Sequence, residues 1–186
     1  MLDLYNEVRE EIASGDAITW EGKGVISSLI RLWTSRSHAS LVVRPPQVGL
    51  WMDRRFLIEA WEGEVNIRLL SSRLESYAKG GKAFWHRLKP ECKPFVEVIE
   101  RCALSKVGTP YDYAGLFLNA FGHISSDAAK YICSEFVGDV YSICLPNKIW
   151  IEIPPNEEVK RLLRGYALRP GEIAKLPIYE PEIRIF

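Results

Sequence analysis

The sequence predicts an α+β fold in one domain, with an antiparallel sheet packed against helices, and three observations carry that expectation. Short runs rich in β-formers and closed by Gly, Asp or Pro crowd the first half: His38–Val43, Phe56–Trp61, Val65–Leu69 and Ala83–Leu88. Apolar residues at helical spacing fill the second half, over Pro94–Lys106 and Tyr131–Cys144. With a further helical run near the start, helices flank a strand meander at both ends, the α+β arrangement.

Taken in order, Leu4–Ala13 reads as a helix with Leu4, Val8 and Ile12 on one stripe and Ser14-Gly15-Asp16 as its stop. Ala17–Trp20 is a short strand. Val25, Leu29, Ile30 and Trp33 recur at helical spacing. The period then changes to the strand runs above, the first closing at Arg44-Pro45-Pro46. Later helices are expected over Pro94–Lys106, around Tyr113–Ala120, over Tyr131–Cys144 before Pro146, and over Glu157–Leu163, where Pro154-Pro155-Asn156 supplies the start signals. Residues 166–186, with Pro170, Pro177 and Pro181, read as an extended strap after a core of about residues 14–165.

Composition excludes several classes. The 186 residues carry 24 Lys+Arg against 24 Asp+Glu, so there is no basic excess of the kind a phosphate-neutralising surface needs, and nucleic acid is set aside as a partner. Apolar residues at 47% and charged residues at 26% lie outside the disordered range. A chain of this length buries roughly 70% of its unfolded surface and needs no disulfide or metal to fold. No apolar run approaches a membrane span, and Met1–Glu7 is acidic where a leader would be basic, so a cytoplasmic protein is expected. Cys92, Cys102, Cys133 and Cys144 show no zinc-ligand spacing. Neither a metal nor an organic cofactor is expected, and the thiols are expected to be reduced.

Among those thiols Cys133 stands out. It lies near the predicted start of a helix, where the dipole favours a thiolate, although the dipole argument fades if Asp127 is the cap. It also shares a helical stripe with Val137, Val140 and Cys144, the pattern of a buried structural cysteine. Of three histidines, His38 opens a strand after the polar stretch Ser35-Arg36-Ser37, on the face of Ser40 and Val42; His86 sits between Phe84 and Leu88 like a packed residue; His123 reads as part of a loop. Glu59 is the odd charge in the apolar run Leu57-Ile58-Glu59-Ala60, and a buried carboxylate needs a partner. It is either an orienting group for His38 or an edge glutamate facing water, with Glu62 as a fallback in a turn.

As an ordered set, Ser37-His38-Ala39-Ser40-Leu41-Val42-Val43, Leu57-Ile58-Glu59-Ala60-Trp61, Pro110-Tyr111-Asp112-Tyr113 and Tyr131-Ile132-Cys133-Ser134-Glu135-Phe136-Val137 resemble the circularly permuted NlpC/P60 cysteine peptidases, more narrowly their YiiX/YaeF-type branch. The resemblance implies a papain-like core with Cys133 as nucleophile, His38 as general base, Glu59 as orienting carboxylate and Tyr111 lining the substrate site. The implied reaction is cleavage of an amide bond, in a cell-wall-type (peptidoglycan) peptide or another N-acyl substrate, through an acyl-enzyme in which the Cys133 backbone N–H helps bind the oxyanion. Exported family members often carry a leader or lipid anchor, so delivery to a cell wall would need another route. A lipid or thioester acyl hydrolase or transferase resembling the lecithin:retinol acyltransferases is the alternative, with the apolar loop Pro45–Met52 as a lipid or peripheral membrane contact. A binding module without turnover is the third reading. Oligomeric state is not readable from the sequence.

Overall fold

The computed structural model describes residues 2–22, 35–44, 54–61, 64–77, 80–110, 128–152, 156–166 and 168–186. In chain order the elements are α1 (Asp3–Val8), β1 (Ala17–Glu21), β2 (His38–Val43), β3 (Phe56–Trp61), β4 (Glu64–Leu69), α2 (Leu70–Ser76), β5 (Lys82–His86), a 3₁₀ turn (Pro90–Phe95), α3 (Val96–Ser105), α4 (Ala128–Cys144), α5 (Asn147–Glu152), α6 (Glu157–Leu163), α7 (Pro170–Ile173) and β6 (Ile183–Arg184). The expected helices at Val25–Trp33 and Tyr113–Ala120 lie outside the described residues, as do Tyr111, His123, Glu62 and the loop Pro45–Met52.

The six strands form one antiparallel sheet in the order β4-β3-β2-β1-β5-β6. β1 to β4 form the expected meander, whereas β5 crosses over to flank β1 rather than β4. Both faces of this sheet are covered, which is why β2 is buried along its whole length and its sequence is so apolar. Ala39, Leu41, Val43, Ile58 and Ala60 face the larger helical layer, where they meet Phe136, Val137 and Val140 of α4 and Ile99 and Ala103 of α3. Ile18, Trp20, Val42 and Leu57 face the other way, onto Tyr5 and Ile12 and onto Leu70 and Leu74 of α2. His38, Ser40 and Glu59 belong by alternation to this second face.

Asp16 ties the first strand to its surroundings. Its Oδ2 accepts the Ala13 N–H at 3.0 Å and the Trp85 indole N–H at 2.8 Å, and its Oδ1 accepts the Leu88 N–H at 2.9 Å. The bond to Ala13 belongs to a turn rather than to a continuing helix, and α1 ends at Val8 instead of the expected Ala13. Of the expected stripe of Leu4, Val8 and Ile12, Val8 and Ile12 pack on the core as expected, whereas Leu4 is exposed and Tyr5 is buried in its place. Gly15 precedes Asp16 with φ of 86°, and a Cβ there would meet Leu88 Cδ1 at 2.9 Å, so two constraints favour glycine.

The expected strap is only partly extended. Pro170 starts α7 at a position where a missing N–H costs nothing, and β6 pairs with β5, Phe84 opposite Arg184 and Trp85 opposite Ile183. The expected helix at Pro94 begins as the 3₁₀ turn, with Val96 opening the α-helical part. Asn156 caps α6 as expected, its Oδ1 accepting the Val159 N–H at 3.0 Å.

Candidate active site

The site is built where β2 and β3 run side by side. Leu41 pairs with Ile58 and Val42 with Leu57. Continuing that register sets Ser40 opposite Glu59 and His38 opposite Trp61, and the side chains meet accordingly. His38 Nε2 donates to Glu59 Oε2 at 2.6 Å, Ser40 Oγ donates to the same oxygen at 2.8 Å, and the His38 ring stands edge-on to Trp61 with centroids 5.3 Å apart. The Trp20 indole N–H of β1 donates to Ser40 Oγ at 3.0 Å and completes the chain from behind. The entry to β2 is held as firmly. The Ser37 N–H and hydroxyl both donate to Trp20 O, at 2.7 and 3.0 Å, and Arg36 bridges Glu21 and Glu182.

Helix α4 brings Cys133 to His38. With Nε2 committed to Glu59, the imidazole nitrogen left for the thiol is Nδ1, and the Cys133 and His38 side chains are hydrogen-bonded. The Ala39 backbone N–H also donates to Cys133 Sγ. All three side chains are buried: His38 is 4%, Glu59 0% and Cys133 4% exposed. The structure therefore brings together Cys133, His38 and Glu59, the three residues singled out in the sequence. Val137, Val140 and Cys144 of the same stripe are buried in the helix-side core, so one stripe serves both packing and the site.

One expectation about Cys133 is corrected. Because α4 starts at Ala128, Cys133 is beyond the first turn and its N–H points to a carbonyl within the helix, so neither the dipole nor an oxyanion role for that N–H applies. The charge is set instead by neighbours. Burial would raise the Cys133 pKa, but the His38 imidazolium, its hydrogen bond and the Ala39 N–H outweigh burial and lower it. Burial would likewise lower His38, yet the Cys133 thiolate and Glu59 carboxylate push it up to about 9. Glu59 resists its own burial because His38, Arg73 and Ser40 all favour the charged form, and it is held at about 2. Both shifts favour the thiolate and imidazolium forms of the pair.

Arg73 and Ser40 are the participants that sequence reasoning missed. Arg73, on α2, places Nε 3.2 Å from Glu59 Oε1 and lays its guanidinium over the Trp61 ring at 4.4 Å, and Arg68 Nε of β4 is 3.7 Å from the same oxygen. Ser40 was legible through its shared face with His38. Arg73 was not, since α2 follows β4 with no Gly or Pro between them. His86 is packed as expected, 1% exposed and lowered to about 3 by burial and by Arg36.

No protein-family model matches the chain, and no curated protein does either. Among solved structures, the metalloprotein YiiX of Escherichia coli O157:H7 superposes with a TM-score of 0.52 at 24% identity, over 72% of this chain and 66% of that one. The chain has a YiiX-like fold. It spans just under two thirds of the YiiX chain, and the likeness concerns architecture: the α+β arrangement expected from the sequence motifs. Among the described residues, no helix is long and apolar enough to cross a membrane.

Proposed function

We propose that this protein is a cysteine hydrolase that cleaves an amide bond, in a cell-wall-type peptide, with Cys133 as nucleophile, His38 as acid and base, and Glu59 as the orienting carboxylate. The observation that carries the reading is the buried relay: a thiol hydrogen-bonded to an imidazole whose far nitrogen is held at 2.6 Å by a buried, ionised carboxylate. A packed structural cysteine has no need of such partners. The choice of a peptide substrate rests on the motif resemblance.

In the proposed reaction the Cys133 thiolate attacks the carbonyl carbon, forming a C–S bond and an oxyanion. Collapse breaks the C–N bond, and His38 Nδ1–H protonates the departing amine. Water then gives its proton to Nδ1 and attacks the thioester, which releases the acid and restores the thiolate and imidazolium. Glu59 holds the ring so that Nδ1 faces sulfur throughout and stabilises its cationic form.

YiiX is described as a metalloprotein, whereas the described donors at this site do not suit a metal. Glu59 Oε2 already accepts from Ser40 and His38, Oε1 faces two guanidiniums, and both His38 nitrogens are engaged. Among the described residues no cluster of three or more His, Cys, Asp or Glu is disposed to hold a cation. No step is therefore routed through one.

Alkylation by iodoacetamide at pH 7, mapped by mass spectrometry, tests the reading. Cys133 should react much faster than Cys92 and Cys144, whose thiols burial raises to about 11 and about 12. Uniform slow labelling would leave a binding module on this fold as the better account.

A further inference from the structure

Two thiols outside the relay lie against each other. Cys144 is the last residue of α4, and its Sγ is 3.7 Å from the Val98 carbonyl oxygen of α3. One turn further along α3, Cys102 brings its side chain within hydrogen-bonding reach of Cys144. Both are free thiols, and both pack against the helix-side core. Their exposure differs, since Cys144 is buried whereas Cys102, alone of the four cysteines, is half-buried. Burial first, and then Cys102, push Cys144 up to about 12, so it is a protonated thiol at rest. The other two cysteines have different company. Cys133 is engaged with His38 and the Ala39 N–H, and its place eleven residues before Cys144 on α4 sets the two roughly 16 Å apart. Cys92 is fully buried and faces Tyr141 and Tyr179.

We propose that Cys102 and Cys144 are a redox-active pair, a modification site that reacts with a small-molecule disulfide such as oxidised glutathione and closes into an intramolecular disulfide between α3 and α4. The exchange begins at Cys102, the accessible sulfur, whose thiolate attacks one sulfur of the reagent, forms a mixed disulfide and releases one glutathione thiolate. Cys144 then gives its proton to water and attacks Cys102 Sγ, which releases the second glutathione thiolate. The two cysteines lose two electrons, and one glutathione disulfide is reduced to two thiols. The high pKa of Cys144 makes its attack the slow half, and the nearness of the two sulfurs offsets this by making the step intramolecular. Both residues sit in the last turn of their helices, where fraying gives the backbone latitude to bring the sulfurs to about 2.05 Å. The bond fixes the far end of the helix that carries Cys133 and ties residues 102 and 144 into a closed loop, which restricts the unfolded chain and raises stability. None of this depends on the hydrolase reading.

The test incubates the folded full chain with oxidised glutathione at pH 8, quenches in acid, blocks the remaining thiols with N-ethylmaleimide under denaturing conditions and maps the digest by mass spectrometry. Peptides joined through Cys102 and Cys144, in the wild type and in Cys133→Ala alike, are expected. A lasting glutathione adduct on Cys102 with Cys144 free, cross-links spread over all four cysteines, or no reaction at either residue overturns the pair. Because the mapping is read on the wild type, it stands whether or not a variant folds. Melts are compared in Cys133→Ala, so that no adduct on the relay contributes. The oxidised protein should melt at least about 5 °C higher than the reduced one, with the gain reversed by dithiothreitol and absent from Cys102→Ser/Cys133→Ala. An unchanged or lowered midpoint in cross-linked protein, or the same gain without Cys102, overturns the link between the two helices as the source of the stability.

Discussion

Replacing Glu59 by Gln keeps the shape of the side chain and removes its charge, which makes it the sharpest probe of the relay. The carboxylate accepts from His38 and Ser40 on Oε2 and faces Arg73 on Oε1. An amide must present its NH2 to one side or the other. Turned to His38, it donates to Nε2 and forces the proton onto Nδ1, so that a neutral ring can no longer accept from the thiol. Turned to Arg73, it sets a donor against a guanidinium. The drop in the Glu59 pKa from 4.5 to about 2 corresponds to about 3 kcal/mol in favour of the ionised carboxylate, much of it owed to His38. Losing most of that from the reacting state lowers turnover by on the order of 10²-fold, about 2.7 kcal/mol of barrier. The assay is hydrolysis of a peptide or thioester at pH 7 alongside matched thermal melts, since a buried Arg73 without its counter-ion costs about 3–5 kcal/mol, less what its stacking on Trp61 retains. The double variant Glu59→Gln/Arg73→Met removes that orphaned charge and should recover stability without recovering activity. Glu62→Gln should change rate by less than about threefold, under 1 kcal/mol. A folded Glu59→Gln enzyme of near wild-type activity would refute the relay and leave Glu59 as a structural strand residue.

Three further outcomes are expected. His38→Ala should slow Cys133 alkylation near neutral pH by returning the thiol towards its free pKa of about 8.5, whereas His86→Ala and His123→Ala should not; a labelling-rate titration against pH decides it. Activity should follow a bell in pH, falling on the acid side as the lowered Cys133 thiolate is protonated and on the alkaline side as His38 loses its proton near about 9. A kcat/KM profile with an alkaline limb near the ordinary imidazole value would contradict the ion pair. Asp16→Ala strands three donors, those of Ala13, Leu88 and the Trp85 indole, and should lower stability by more than about 3 kcal/mol, read by denaturant melts.

How much of this was legible depended on whether the information was local. The strands His38–Val43 and Phe56–Trp61 announced themselves because a central strand is buried on both faces and its composition shows it. Glu59 could be nominated because a charge is out of place in its apolar run, whereas Cys133 and His38, each of which also had an ordinary reading, were nominated through the ordered motifs and the family they resemble. The flank taken by β5 was not legible, since Ala17–Glu21 pairs with Lys82–His86 through contacts some 65 residues apart that leave no local mark. α5 was missed because Pro146 reads as an end, although the residues after it, Asn147–Glu152, resume a helix. Arg73 escaped for a related reason: its role depends on α2 folding back over β3, and an arginine between Ser72 and Leu74 looks like any solvated charge until that happens.

The pairing of β2 with β3 makes the thiol chemistry a gauge of strand registry. Side chains alternate between the two sheet faces, so sliding β2 by a single residue would turn His38 and Ser40 towards the helices and offer Ala39 and Leu41 to Glu59. Such a slip would preserve strand content and much of the burial, and circular dichroism would hardly register it. It would, however, separate the imidazole from its carboxylate and, under the proposed relay, extinguish the fast labelling expected of Cys133. If Cys133 labels fast as proposed, the fast-labelling fraction of a preparation counts molecules whose central strands are in correct alignment, which gives refolding experiments a readout that spectroscopy of the backbone does not supply.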